Sequence, residues 1–151
     1  MSVINNVINK NAITEFEFPE IEGFFVKIAY VPREELTKIR KASLEYKYDK
    51  KTHQREEVID DDKFLERYAE KVIVGWRGLK FKHLPTLFPA DLSTVDPETE
   101  IEYSPEEALQ LLKVSVDFDR FVTDTQESLD KFSKVEKEQE VKNLKTSSTK
   151  N

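Results

Sequence analysis

Apolar positions along the chain change their period several times, and each change predicts an element. Between Glu15 and Phe18 the order Glu-Phe-Glu-Phe alternates, the two-residue period of a half-buried strand, and Pro19 interrupts it. Gly23 to Val31 (GFFVKIAYV) is dense in aromatic and β-branched residues and predicts a second strand, closed by Pro32. Arg33 to Leu44 predicts a helix. Pro32 suits its first turn, Glu34 and Glu35 complement its N-terminal pole, and Leu36, Ile39, Ala42 and Leu44 give a narrow apolar stripe. Tyr46 and Tyr48 then alternate ahead of the polar run Asp49 to Gln54, with Val58 and Ile59 beyond it, which predicts a charged hairpin.

The widest apolar face follows. Asp60, Asp61 and Asp62 offer N-caps, and Phe64, Leu65, Tyr68, Ala69, Val72, Ile73 and Trp76 recur at helical spacing. This predicts a helix that begins to fray at Gly75, with Gly78 as a left-handed stop and Trp76 in the core. Leu79 to Tyr103 is punctuated by proline, and a connection of that length is expected to pack over the core or serve function, with a short helix around Thr86 to Leu92. Ser104-Pro105-Glu106-Glu107 is a capping box with proline in the first turn, so a helix carrying Ala108, Leu109, Leu111 and Leu112 is expected next. A last helix, starting at Ser115 or Asp117, places Phe118, Phe121, Val122, Leu129, Phe132 and Val135 near one face. The prediction is an α+β fold: a small antiparallel sheet and hairpin packed with about four helices. It comprises a flexible segment 1–14, a single domain 15–136 and a disordered tail 137–151 that is poor in apolar residues.

Composition narrows the chemistry. The 151 residues are 38% hydrophobic and 36% charged, enough for a core beneath a densely charged surface. Cysteine is absent, which removes disulfides and thiolate metal sites. No run reaches the roughly 18–20 apolar residues of a membrane span, and Met1 to Thr14 lacks the apolar segment of a signal peptide. The net charge of −6 opposes nonspecific binding of nucleic acid. It is unevenly spread, because the five lysines and three glutamates from Lys134 onward make the tail basic.

The candidate reactive groups have simpler explanations. Asp60 to Asp62 read as helix caps before they read as a cation site. Asp117, Asp119 and Asp124 lack the glycine and distal glutamate of a calcium loop. His53 and His83 stand alone, with no second histidine or cysteine to complete a metal site and no evident acid–base partner. With three glycines in all and no phosphate-cradling or nucleophile-elbow motif, a nucleotide-binding or hydrolase site is not expected. Lys50, Lys51 and Arg55 beside Tyr46 and Tyr48 suggest a nucleic-acid contact, but Glu56, Glu57 and Asp60 to Asp62 cancel that charge. No catalytic residue, cofactor or metal is therefore expected, and holding another protein is the function left.

The order of features from Phe24 to Leu79, and again from Tyr103, carries a resemblance. A strand ends before the helix start Arg33-Glu34-Glu35-Leu36, the acidic Ile59-Asp60-Asp61-Asp62-Lys63-Phe64 opens a second helix, and Val72-Ile73-Val74-Gly75-Trp76-Arg77-Gly78-Leu79 closes it. Tyr103-Ser104-Pro105-Glu106-Glu107 with Ala108-Leu109-Gln110-Leu111-Leu112 follows. Over residues 22–135 this pattern resembles the tail assembly chaperones of long-tailed bacteriophages, in their short, non-frameshifted form. The resemblance implies a cytoplasmic protein of the infected bacterium, absent from the mature virion, that binds the tape measure protein and keeps it soluble. It also implies a longer frameshifted product that recruits the tail tube protein, with 137–151 as linker, and a homo-oligomer. The long N-terminal extension and the prolines of 79–103 depart from the family pattern. Partner-binding candidates are the 79–103 connection and the exposed faces of the last helix, with Phe118, Phe121 and Phe132 included if the core leaves them uncovered. The competing readings are a structural tail completion or connector subunit retained in the virion, and a metal-dependent enzyme built around Asp117.

Overall fold

The computed structural model describes residues 2–9 and 12–133; Val135 and the tail 137–151 lie outside the described residues. After a single 3-10 turn at Ile4–Val7, the chain enters β1 (Ile13–Glu17), which pairs antiparallel with β2 (Phe25–Ala29). The first strand thus takes in Ile13 and Thr14, which were expected to be flexible. Phe18 closes the β1–β2 turn by donating its N–H to the Phe24 carbonyl at 2.8 Å. Alternation sends Val26 and Ile28 inward, both fully buried, and leaves Lys27 outside.

Helix α1 (Arg33–Ala42) begins after Pro32 as expected, and the Ser43 hydroxyl at its end donates to the Ile39 carbonyl at 2.7 Å. The charged hairpin is β3 (Leu44–Asp49) and β4 (Gln54–Ile59), a two-stranded sheet of its own. His53 takes φ +56° in its turn, and the His53 Nδ1 lies 2.8 Å from the Tyr48 hydroxyl. Helix α2 (Asp61–Val72) starts as the aspartates require, with the Asp60 carboxylate accepting from the N–H groups of Asp62 and Lys63. The bond from the Lys63 N–H is the first cause of the lowered Asp60 pKa.

The helical reading of Ile73 to Trp76 is corrected. The chain switches at Val72 into β5 (Ile73–Arg77), which pairs with β2 and makes the sheet order β1-β2-β5. Three consecutive β-branched residues, Val72 to Val74, weaken a helix and suit a strand. A register shift between Lys27 and Ile28 absorbs one extra residue of β5. Ile73 and Trp76 therefore remain buried on the core side although the helical period that linked them is not there. Gly78 is in the left-handed region, with φ +81°, but it terminates this strand rather than a helix.

The connection from Leu79 folds back on itself. The short α3 (Leu84–Leu87) stops before Pro89, earlier than the helix expected over 86–92, because Phe88 is extended ahead of that proline. Helix α4 (Pro105–Val114) carries the Ser104 cap, whose hydroxyl accepts from the Glu107 N–H at 3.1 Å. Helix α5 (Val116–Glu127) is capped by Ser115 and is shorter than the expected helix. It breaks at Ser128, and a new helical stretch starts at Leu129. Helix α2 packs on α1 and α4, α4 on α5, and α5 on β2. At the centre Phe24, Trp76 and Phe118 meet with ring centroids 6.2–6.5 Å apart. Such contacts add to the burial energy of the rings themselves.

Candidate functional site

An apolar concavity lies between α4 and the folded-back connection. Its floor is Trp76 and Leu79, one wall is Phe81, Leu84 and Phe88, and the other is the α4 face bearing Gln110, Leu111 and Val114. The cavity holds about 360 Å³ and is open on one side, where Glu102 and Glu107 stand at its margin. On α4 the lining positions Glu107, Gln110, Leu111 and Val114 follow the spacing i, i+3, i+4 and i+7, so a single helical face lines the groove. Val114 retains 48% of its surface, a large apolar side chain left open beside an apolar cavity.

The loop wall is built rather than loose. Residues Leu79 to Lys82 run beside 97–101: Ile101 N–H donates to the Leu79 carbonyl at 2.7 Å, Phe81 N–H to Thr99 and Lys82 N–H to Pro97. The Trp76 Nε1–H donates to the Ile101 carbonyl at 2.9 Å, and Tyr103 packs edge-on to the indole while its hydroxyl donates to the Ile73 carbonyl. The Glu100 carboxylate accepts from the Gly78 N–H. The Tyr103 and Glu100 bonds thus tie the connection to Ile73 at the start of β5 and to Gly78 just beyond its end. On the surface Lys80 and Lys82 share Glu98, whose carboxyl is held below its usual range first by the Lys82 hydrogen bond and then by that of Lys80.

His83 locks the start of the wall. Its Nδ1 accepts the Lys80 N–H at 3.0 Å, which requires the neutral ring with its proton on Nε2. Burial lowers its pKa, and Lys82 and Lys80 lower it further against the opposing effect of Glu98. Because the folded value lies below the unfolded imidazole value of about 6.5, the contribution to stability is complete above that pH and is lost as pH falls through the folded value. The melting temperature is therefore expected to drop as pH is lowered from about 7.5 to about 5. A His83→Asn variant, which keeps an acceptor without a titrating ring, should flatten that slope. Identical slopes for the two proteins would remove His83 from the explanation.

The residues singled out in the sequence do not gather at a single site. Phe118 is fully buried and Phe132 is 4% exposed, packed against Phe16 and Tyr30; Phe121 is half-buried with its ring 5.1 Å from Phe18. Phe118 and Phe132 are thus core side chains, and the core does not leave them uncovered for a partner. Beyond the break at Ser128 the face expected to be continuous is not kept: Phe132 is buried, whereas Leu129 is 60% exposed. Asp60 caps α2, and Asp117 and Asp119 lie in the first turn of α5, where carboxylates complement the helix dipole. Among the described residues no three histidine, aspartate or glutamate side chains gather as a metal site, and no helix is long and apolar enough to cross a membrane. The connection 79–103 supplies the groove wall. Sequence reasoning reaches that segment but not its lining residues Phe81, Leu84 and Phe88, although an apolar residue at nearly every third position of a proline-rich loop is the signal that carries them.

No curated protein and no solved structure matches the chain. A family model does match, over residues 33–143, which take in α1, the hairpin, the whole groove and α5. That is well over half of the chain, and it makes the protein phage-derived: the chain belongs to the YdaY prophage protein family.

Proposed function

We propose that this protein is an assembly chaperone of phage tails, holding an apolar helical segment of the tape measure protein in the groove between α4 and the 79–103 connection. The observation that carries the reading is the groove itself: apolar floor and walls, one exposed valine, and carboxylates at the rim. An amphipathic helix buries its apolar stripe in such a groove, and basic residues flanking that stripe would meet Glu102 and Glu107. Sequestering the unassembled chain lowers its free concentration by mass action, so no chemistry is required. The prophage membership and the order of motifs along 22–135 support the same reading. The protein then acts in the cytoplasm of the infected bacterium and leaves before the virion is complete. The composition of 137–151 suits a linker to a frameshifted extension that contacts the tail tube protein.

Co-expression tests this directly. The tape measure protein is expected to stay soluble and co-purify with the wild-type chain, and Val114→Arg should abolish both. Val114 is half-exposed in the last turn of α4, where a positive charge is favoured by the helix dipole, so the variant should keep the wild-type stability to within about 0.5 kcal/mol. A tape measure equally insoluble with and without the wild-type chain would end the proposal. Mass spectrometry of purified virions addresses the competing structural role: a completion or connector subunit is retained in the particle, whereas a chaperone is absent.

A further inference from the structure

The β3–β4 hairpin stands apart from the three-stranded sheet and forms a two-stranded sheet with two outer edges. Two strands alone are marginal; a third or fourth is the usual requirement for a stable sheet. The hairpin also carries exposed apolar side chains, with Tyr46 65%, Tyr48 59% and Ile59 42% exposed. The register places all three on one face, together with Glu57 opposite Tyr46 and Arg55 opposite Tyr48. The two outer edges differ. On β3, Leu44 and Glu45 are half-buried against the body, and Glu45 is engaged by Lys63 at 3.2 Å. On β4, the residues Gln54 to Glu57 are all exposed, and neither Arg55 nor Glu57 belongs to an ion pair among the described residues.

We propose that β4 pairs antiparallel with β4 of a second copy of this chain, joining two hairpins into a four-stranded sheet across a twofold axis at Glu56. Charge selects both the partner and the register. A twofold axis perpendicular to the sheet pairs only residues of the same face, so the centre of the pairing falls on a residue, either Arg55, Glu56 or Glu57. Centring on Arg55 or on Glu57 sets like charges opposite each other on the tyrosine face. Centring on Glu56 sets the Arg55 of each copy opposite the Glu57 of the other. Across the combined sheet the rows on this face then read Tyr46, Glu57, Arg55, Tyr48, with the two ion pairs flanked by aromatic rings. On the other face the two Glu56 side chains meet, each beside its own cross-strand Lys47. The outer edge of β4 gains backbone hydrogen-bond partners, which is what an exposed strand of this length otherwise lacks. This interface lies in the hairpin and uses no residue of the groove, so it stands or falls independently of the client proposed above.

The experiment is a charge exchange read by sedimentation velocity over a concentration series of the full chain. The wild type is expected to show a concentration-dependent dimer. Arg55→Glu places two glutamates on each β4 face and Glu57→Arg places two arginines there, so each variant alone is expected to lose dimer affinity by about tenfold or more. An equimolar mixture of the two restores opposite charges at both pairs and is expected to recover a heterodimer. Far-UV circular dichroism of each single variant checks that it is folded. A wild type that sediments as a monomer throughout overturns the proposal, as do single variants that dimerise like the wild type, or a mixture that recovers nothing.

Discussion

Gly78→Ala is expected to be among the most destabilising single substitutions in the molecule, with Gly23→Ala as its internal control. Both glycines hold left-handed backbone, with φ +81° at Gly78 and +86° at Gly23. In both, a side chain carries a conformational cost of about 1–2 kcal/mol. The surroundings differ. A β-carbon on Gly23 would meet nothing within 4 Å, whereas one on Gly78 would overlap the Gly23 carbonyl, a backbone group that cannot swing aside. Relieving the overlap means separating the β5 end from the β1–β2 turn, for a further cost of about 1–3 kcal/mol. It also disturbs the Gly78 N–H bond to Glu100, and with it the anchoring of the groove wall. Gly78→Ala should therefore lose about 2–5 kcal/mol and Gly23→Ala only the smaller, conformational part. Urea denaturation of the two variants measures the difference. Equal losses would mean that the close approach of the two glycines does not constrain the fold.

That close approach is not legible in the sequence, although Gly78 itself can be marked there as a left-handed stop. The distinction is general in this chain. Features set by neighbours a few residues apart are legible: the Asp60 and Ser104 caps, the Pro32 and Pro105 starts, and the inward Val26 and Ile28 all follow from local spacing. The strand Ile73–Arg77 is not, because Val72, Ile73 and Trp76 fit a helical face as well as they fit a bulged strand. What decides between them is a partner distant in the chain, β2, whose central position in the sheet offers hydrogen bonds that a helix continued from α2 would leave unmade. The groove is half legible for the same reason. A long proline-rich connection is expected to lie on the core, but the wall it faces is the α4 side bearing Gln110 and Val114, and only the crossing of the two elements selects that side.

Phe118→Ala is expected to lose about 3–5 kcal/mol, the range for removing a fully buried phenylalanine. Its ring has no exposed surface and lies among Phe18, Phe24 and Trp76, so its removal opens a cavity where β2, β5 and α5 meet. For a chain of this size each kilocalorie shifts the melting temperature by about 2–4 °C, which predicts a drop on the order of 10 °C. Leu129→Ala is the contrast: at 60% exposure its loss should stay within about 0.5 kcal/mol. The Phe118 and Val114 variants together separate a core residue from a contact residue. If Phe118 acts only in the core, the folded fraction of Phe118→Ala, kept below its lowered melting temperature, still holds the tape measure client with wild-type affinity, whereas Val114→Arg loses the client at unchanged stability. A Phe118→Ala protein that melts like the wild type but releases the client would return Phe118 to the binding surface, and would require the helix that carries it to turn outward.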